Sequence, residues 1–399
     1  MSFNLLRNSR VFFTTNVGSS GSTLGVVAAT GFTADNTREI QVLDGFGFSQ
    51  NTTSETVTLN ETGASPVRGQ RSFNTQLDPV DFNMTTYIRP VDDGTIVTAE
   101  ESVLWNALFG TAAISTTAGT LATGAAWKNV ATGSSPATCV ATNSNAHQLQ
   151  RFGLIIIIDT ACFVIDDCVL NTATIDFGID AIASIQWAGQ AKAIRRITAP
   201  TFADSNTWSG SLAGDFKNKI TSAAFIANKL SVLTLRKGIG GTSGNYYNLP
   251  LTGGNLTISN NISYLTPATL GIVNQPATYF TGTRAISGSL TAYLRSGSAS
   301  GANDTANDST GRKQTAQLLG DLLDDSATDV DPAFYLKIAI GGSSAVDRVE
   351  LEMPGVVLTI PTIATEQVIS TTINFTAQAS ASSEFDLAQT NELNVSYYA

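Results

Sequence analysis

Apolar and polar side chains alternate along Phe82-Asn83-Met84-Thr85-Thr86-Tyr87-Ile88-Arg89, and a similar pattern returns in Gly288-Ser289-Leu290-Thr291-Ala292-Tyr293-Leu294-Arg295. Alternation sends successive side chains to opposite faces, so both segments are predicted as strands with one face on a core. They share a Thr/Ala-Tyr-Ile/Leu-Arg ending. A short helical pattern follows each: Val103, Leu104, Trp105, Leu108 and Phe109 after the first, Leu318, Leu319, Leu322 and Leu323 after the second. A helix with such a stripe can lie on a sheet. Thr98 and Glu101 have capping-box spacing at the start of the first helix, and Gly110 is placed to stop it. Strands resume at Phe152-Gly153-Leu154-Ile155-Ile156-Ile157-Ile158 and at Phe334-Tyr335-Leu336-Lys337-Ile338-Ala339-Ile340. Long β patterns then end at Ile185-Gln186-Trp187-Ala188-Gly189-Gln190-Ala191 and at Ile373-Asn374-Phe375-Thr376-Ala377-Gln378-Ala379.

The same order of elements thus occurs in residues 70–191 and again in residues 279–379, which is the self-similarity of a duplicated unit. Weaker matches upstream set residues 11–15 against 232–235, and residues 39–60 against 255–273. A Thr/Ala/Gly/Ser-rich insertion near 111–149 and a Ser/Asn/Asp-rich one near 296–311 distinguish the halves and read as surface loops. A chain of 399 residues accommodates two all-β units, 1–200 and 201–399, each large enough for its own core.

Composition narrows the function. Hydrophobic residues are 42% and mean hydropathy is +0.09, while charged residues are 14%, against a usual value of about 25%. The deficit suggests a surface largely covered by other subunits, although a Thr/Ser/Asn-rich exterior also confers solubility. A net charge of −10 and a pI near 4.6 argue against gripping phosphates through basic patches. The amino terminus lacks a signal-peptide pattern, and no apolar run approaches the roughly 20 residues of a membrane span. A cytoplasmic site of synthesis is therefore expected.

No catalytic, cofactor or metal site is predicted. His147 is the single histidine, in a polar run that is a poor scaffold for a nucleophile-base pair or a zinc site. Cys139, Cys162 and Cys168 are an odd count without metal spacing and read as buried small residues. Cys162 and Cys168 are placed to face each other across a turn at Asp166-Asp167. Asp92-Asp93 and Asp324-Asp325 also read as turns, and Glu100-Glu101 as a helix start. Residues 238–244 follow a strand, as a phosphate loop would. Ser243 stands where a dinucleotide fingerprint needs glycine, so a hairpin loop is expected. Asn303, Asp304, Asn307 and Asp308 lack the pattern of a calcium loop.

Three stretches resemble the major tail tube proteins of tailed bacteriophages. They are the opening Phe3-Asn4-Leu5-Leu6-Arg7-Asn8-Ser9-Arg10-Val11-Phe12-Phe13-Thr14-Thr15, the central strand Phe280-Thr281-Gly282-Thr283-Arg284-Ala285-Ile286-Ser287-Gly288-Ser289-Leu290-Thr291-Ala292-Tyr293-Leu294, and Thr174-Ile175-Asp176-Phe177-Gly178-Ile179-Asp180-Ala181-Ile182 with Trp187-Ala188-Gly189. The resemblance implies a mainly β fold of two tandem β-sandwich domains, each with one flanking α-helix. Their inner strands would join on oligomerisation into a β-barrel ring around a lumen. It implies a structural virion protein and not an enzyme, assembled in the host cytoplasm, whose stacked rings conduct DNA from capsid to host without binding it specifically. Implied partners are further copies of the chain and other tail proteins such as sheath, terminator, baseplate and tape measure, with no membrane. Such proteins usually carry one tube domain and form hexameric rings. With the domain present twice, three chains would close a ring of six domains, a trimer; a hexamer would place twelve domains in each layer.

Alternating side chains in residues 82–89, 286–294 and 369–378 are the candidates to face the lumen, and strand register decides which of them do. The segment through Phe13 and the two insertions are candidates for contacts between rings or with the outside. Alternative readings are another ring-forming tail component, such as a terminator, distal tail protein or baseplate hub, or a secreted β-sandwich adhesin or carbohydrate-binding protein. The last would be expected to show an export signal and paired cysteines.

Overall fold

A computed structural model describes residues 9–32, 36–57, 71–92, 97–99, 101–109, 127–129, 137–140, 149–158, 161–198, 225–238, 246–296, 312–328, 333–342, 347–364, 369–378 and 392–398. The chain opens with β1 (Ser9–Thr14) and β2 (Thr37–Ile40), which pair antiparallel. A long hairpin of β3 (Gly47–Val57) and β4 (Arg71–Tyr87) follows. Short strands β5 (Pro90–Asp92) and β6 (Val97–Ala99) precede helix α1 (Ser102–Phe109). Next come β7 (Trp127–Asn129), β8 (Ala137–Val140), β9 (Phe152–Ile158), β10 (Ala161–Asp176), β11 (Ser184–Ala191) and β12 (Ala193–Ile197).

The second half opens with β13 (Val232–Lys237), β14 (Tyr246–Asn248) and β15 (Leu251–Ser259). A small hairpin of β16 (Ile262–Leu265) and β17 (Thr278–Thr281) leads to β18 (Ala285–Tyr293). After β19 (Lys313–Gln314) and helix α2 (Thr315–Thr328) the chain ends in β20 (Ala333–Ile340), β21 (Arg348–Leu358), β22 (Thr362–Ala364), β23 (Ser370–Gln378) and β24 (Asn394–Tyr398). Among the described residues the fold is mainly β, with large sheets and two α-helices.

β10 serves two sheets. Its first part pairs with β9 and β12, and its last part, from Thr172 to Asp176, pairs with β11 on one side and β15 on the other. Between them Asp166 and Asp167 lie opposite the single residue Gly153, a bulge that bends the strand from one sheet into the next. The predicted turn at Asp166-Asp167 is therefore an interruption within one strand. Cys162 and Cys168 sit on that same strand, both buried and both free.

The neighbour relations of the first half recur in the second, with β21 in the place of β10. β13 lies beside β20 as β1 lies beside β9, and β14 extends β13 as β2 extends β1. β24 flanks β21 as β12 flanks β10, and β18 stands between β15 and β23 as β4 stands between β3 and β11. Met84 and Leu290 face Trp187 and Ile373, so the last long strands match two residues away from the sequence alignment that set Ile185 against Ile373. A pattern of period two is blind to a slip of two. The upstream match moves by one: Val11 lies opposite Ile156 as Leu233 lies opposite Ile338. Val11, Phe12 and Phe13 are all buried, leaving no alternation to fix that register.

The core is packed from both sheets and α1, whose Val103, Leu104, Trp105, Leu108 and Phe109 are all buried. Trp105 meets Trp187 edge-on with centroids 5.0 Å apart, and its Nε1 donates to Tyr397 Oη at 2.8 Å. Tyr397 in turn donates to Glu101 Oε1 at 2.5 Å, so the last strand ties down the first helix. Helix α1 begins at Ser102 and Glu101 O accepts from Leu104 N at 2.9 Å, so Glu101 stands at the start of the helix and not three residues into it, as a capping box on Thr98 would need. Thr98 lies in β6, and Gly110 lies outside the described residues. Asp324-Asp325 sits within α2 and is no turn; Asp325 Oδ1 accepts from Lys237 Nζ at 2.6 Å. Residues 238–244 lie between the antiparallel neighbours β13 and β14, as a hairpin loop requires. From the 111–149 insertion, β7 and β8 extend the second half's sheet at β24. The 297–311 stretch, residues 1–8 and His147 lie outside the described residues.

Candidate functional site

One sheet runs through both halves, in the order β3, β4, β11, the end of β10, β15, β18, β23 and β22. The halves meet where Thr172, Thr174 and Asp176 of β10 lie opposite Ser259, Thr257 and Asn255 of β15. Alternation then fixes two faces. Phe82 and Met84, Ile185 and Trp187, Ala173 and Ile175, Leu256 and Ile258, Ile286 and Leu290, and Ile373 and Phe375 turn into the core.

The opposite face is a lawn of hydroxyls and amides. It carries Asp81, Asn83, Thr85 and Tyr87 on β4, Gln186 and Gln190 on β11, Ser287, Ser289 and Thr291 on β18, and Thr372, Asn374 and Thr376 on β23, each exposed or half-buried. In residues 47–50, 80–87, 172–176, 184–191, 253–259, 285–293 and 370–377 the charged residues are Asp81 and Asp176, with no Lys, Arg or His. Register, which the sequence left open, settles which members of the predicted strands face out: the odd-numbered residues of 81–87 and 287–293, and the even-numbered ones of 372–376.

Polar side chains on this face bind one another. Gln190 Nε2 donates to Asp81 Oδ1 at 3.2 Å, Thr174 and Thr257 hydroxyls share a bond of 3.3 Å across the junction, and Ser289 Oγ donates to Asn255 Oδ1 at 3.2 Å. Beneath them the sheet is levelled by paired glycine and phenylalanine. A Cβ at Gly189 would stand 2.5 Å from Phe82 Cζ, and one at Gly288 would stand 2.5 Å from Phe375 Cζ. The ring comes from β4 in the first half and from β23 in the second. No sequence signal marks this exchange, because the two members of each pair are distant in the chain.

Several cations are held elsewhere, in ion pairs. Arg151 Nη1 contacts Asp167 Oδ2 at 2.6 Å, Arg195 Nη2 contacts Asp166 Oδ1 at 2.9 Å, and Lys313 Nζ contacts Asp321 Oδ2 at 2.5 Å. Burial pushes the Asp167 carboxyl above its usual range, and Arg151 opposes that only in part. Among the described residues no three His, Cys, Asp or Glu side chains cluster as a metal site would need, and no helix is long and apolar enough to cross a membrane.

No family model matches the chain. It is 30% identical over 396 residues to the tail tube protein pb6 of Escherichia phage T5, a match that covers 94% of this chain and 73% of that protein.

Proposed function

This chain belongs to the phage tail tube proteins, and on that premise we propose that the polar face running through both halves lines the bore of the tube. The protein is a structural component of the virion tail. One observation carries the reading of the bore: a sheet face spanning both halves that, within residues 47–50, 80–87, 172–176, 184–191, 253–259, 285–293 and 370–377, offers hydroxyls, amides and two carboxylates but no cation. Retaining DNA requires cations that neutralise phosphates and release counterions. A wall without them keeps each phosphate contact weak, so DNA slides past.

The recurrent pairing order supports two equivalent β-sandwich units, 1–200 and 201–399, each with its own helix. Six units then close a ring from three chains, and closure into a barrel satisfies the strand edges at β3 and β22. Rings stack into the tube and meet other tail components, such as terminator, baseplate, tape measure or sheath. The work is mechanical, with no catalytic residue and no cofactor.

Cryo-electron microscopy of concentrated protein tests this reading. The expected image is stacked rings of three chains with Thr85, Gln186 and Thr291 turned to the lumen. Six chains per ring would overturn the stoichiometry, and compact monomers at every concentration would overturn ring formation itself. Lysines at Thr85 and Gln186 should make open tubes retain DNA at low salt, with log affinity falling by about 0.9 per added phosphate contact for each unit of log salt.

A further inference from the structure

The junction between halves inside one chain is a template for a junction between chains. β15 holds in the second half the place of β3 in the first: Asn255 lies opposite Ser289 as Gly47 lies opposite Asn83. β22 holds the place of the end of β10. Thr362, Ile363 and Ala364 lie opposite Thr372, Thr371 and Ser370, as Thr174, Ile175 and Asp176 lie opposite Gln186, Ile185 and Ser184. Among the described residues β3 is paired only with β4, and β22 only with β23. The two open ends of the long sheet are therefore the counterparts of the two strands already joined within the chain.

We infer that β22 of one copy pairs antiparallel with β3 of the next, with Ala364 opposite Gly47, Ile363 opposite Phe48 and Thr362 opposite Ser49. The register is carried over from Asp176 with Asn255, Ile175 with Leu256 and Thr174 with Thr257. This inference rests on the ring reading above and adds the residues that close the ring.

The seam differs from its template at one position. Phe177 N donates to Gly254 O at 3.0 Å, and backbone groups along a strand alternate sides, so Ile175 and Ala173 also turn towards β15. In the place of Ala173 the seam has Pro361, which brings a carbonyl but no N–H. The seam thus has one donor fewer than the internal junction. A proline on an open edge also discourages pairing with unintended strands.

The test is a cysteine pair, Ser49→Cys with Thr362→Cys, at a non-hydrogen-bonded position where opposed Cα atoms come closest. Diamide oxidation of assembled rings should give covalent dimers and closed trimers on a non-reducing gel, with neither single variant linking. The offset pair Ser49→Cys with Ala364→Cys should link at least about tenfold more slowly, since diagonal neighbours lie farther apart than directly opposed ones. Equal rates for the two pairs, or intact rings without links, would overturn the seam and leave the tube reading standing. If the unaltered protein forms no rings, both fall. Hydrogen exchange on unaltered protein gives an independent readout: the Phe48 and Ile363 amides should slow on ring assembly, and no change at either would also overturn the seam.

Discussion

The outer faces of the two halves have the same strand pairing and opposite chemistry. In the first half Phe12, Ile155, Cys162 and Val164 form a small apolar cluster, covered by Val27 from the segment between β1 and β2. The matched positions in the second half are Thr234, Lys337, Glu350 and Glu352. There Lys337 Nζ contacts Glu350 Oε2 at 3.3 Å, Arg348 Nε contacts Glu350 Oε1 at 3.1 Å, and Tyr335 Oη donates to Glu352 Oε1 at 2.8 Å. Burial, reinforced by the neighbouring carboxylates, pushes the Tyr335 hydroxyl pKa up.

The bulge explains the difference. Asp166 Oδ1 accepts from Val27 N at 2.8 Å, and Asp167 N donates to Gly25 O at 2.8 Å, so the bulge anchors the cover. The second half has Pro354-Gly355 at that place and only residues 238–245 between β13 and β14. With no comparable segment there, its outer face is water-facing and charged. Backbone pairing and the shared inner core hold the architecture, which leaves the outer face free to diverge.

The largest effect should come from forcing one face's chemistry onto the other. Ile155→Lys, which copies Lys337, buries a charge without a partner under Val27 and should cost about 4 kcal/mol or more; urea unfolding, or failure to recover soluble protein, reads it. Asp166→Ala should cost about 2 kcal/mol, because it leaves the buried Val27 amide without its acceptor and removes the ion pair of half-exposed Arg195. Faster hydrogen exchange at Val27, with the second half unchanged, would confirm that the cover is anchored there. Gly288→Ala should cost about 2 kcal/mol, since its Cβ would lie 2.1 Å from Asn255 O as well as against Phe375. Gly189→Ala should behave alike, and calorimetry comparing them asks whether the inner layers are equivalent. Glu350→Ala should cost about 2 kcal/mol, because it removes the carboxylate shared by Arg348, Lys337 and the Tyr398 hydroxyl. The smallest effect concerns pH. A carboxyl whose folded pKa is raised stabilises the fold in its protonated form, so the contribution of Asp167 is full below its ordinary range and is lost as pH rises through the raised value. Asp167→Asn should flatten that part of the urea midpoint against pH.

Much of this was legible in the sequence. The alternation in residues 82–89 and 286–294 located β4 and β18, and the apolar runs after them located α1 and α2. The shared Arg ending was less informative: Arg89 is buried beside Gln41 with its guanidinium over Phe225, while Arg295 is exposed. The capping motif misled because the spacing of Thr98 and Glu101 does not show that Thr98 belongs to β6 and that the helix begins only at Ser102. Asp166-Asp167 looked like a turn because a bulge and a turn favour the same residues.

The order of residues is enough to show that the chain is built of strands with one apolar face, that their succession is repeated, and that few charges are available for a grip on phosphate. Side-chain period and composition are local properties, and they survive without knowledge of partners. The tertiary structure decided which side of each strand looks outward, which half carries a cover, and that β10 meets β15. The Thr174–Thr257 contact at that junction joins residues 83 positions apart, and no local pattern encodes a pairing of that range, because a slip of two residues preserves every face while changing every neighbour.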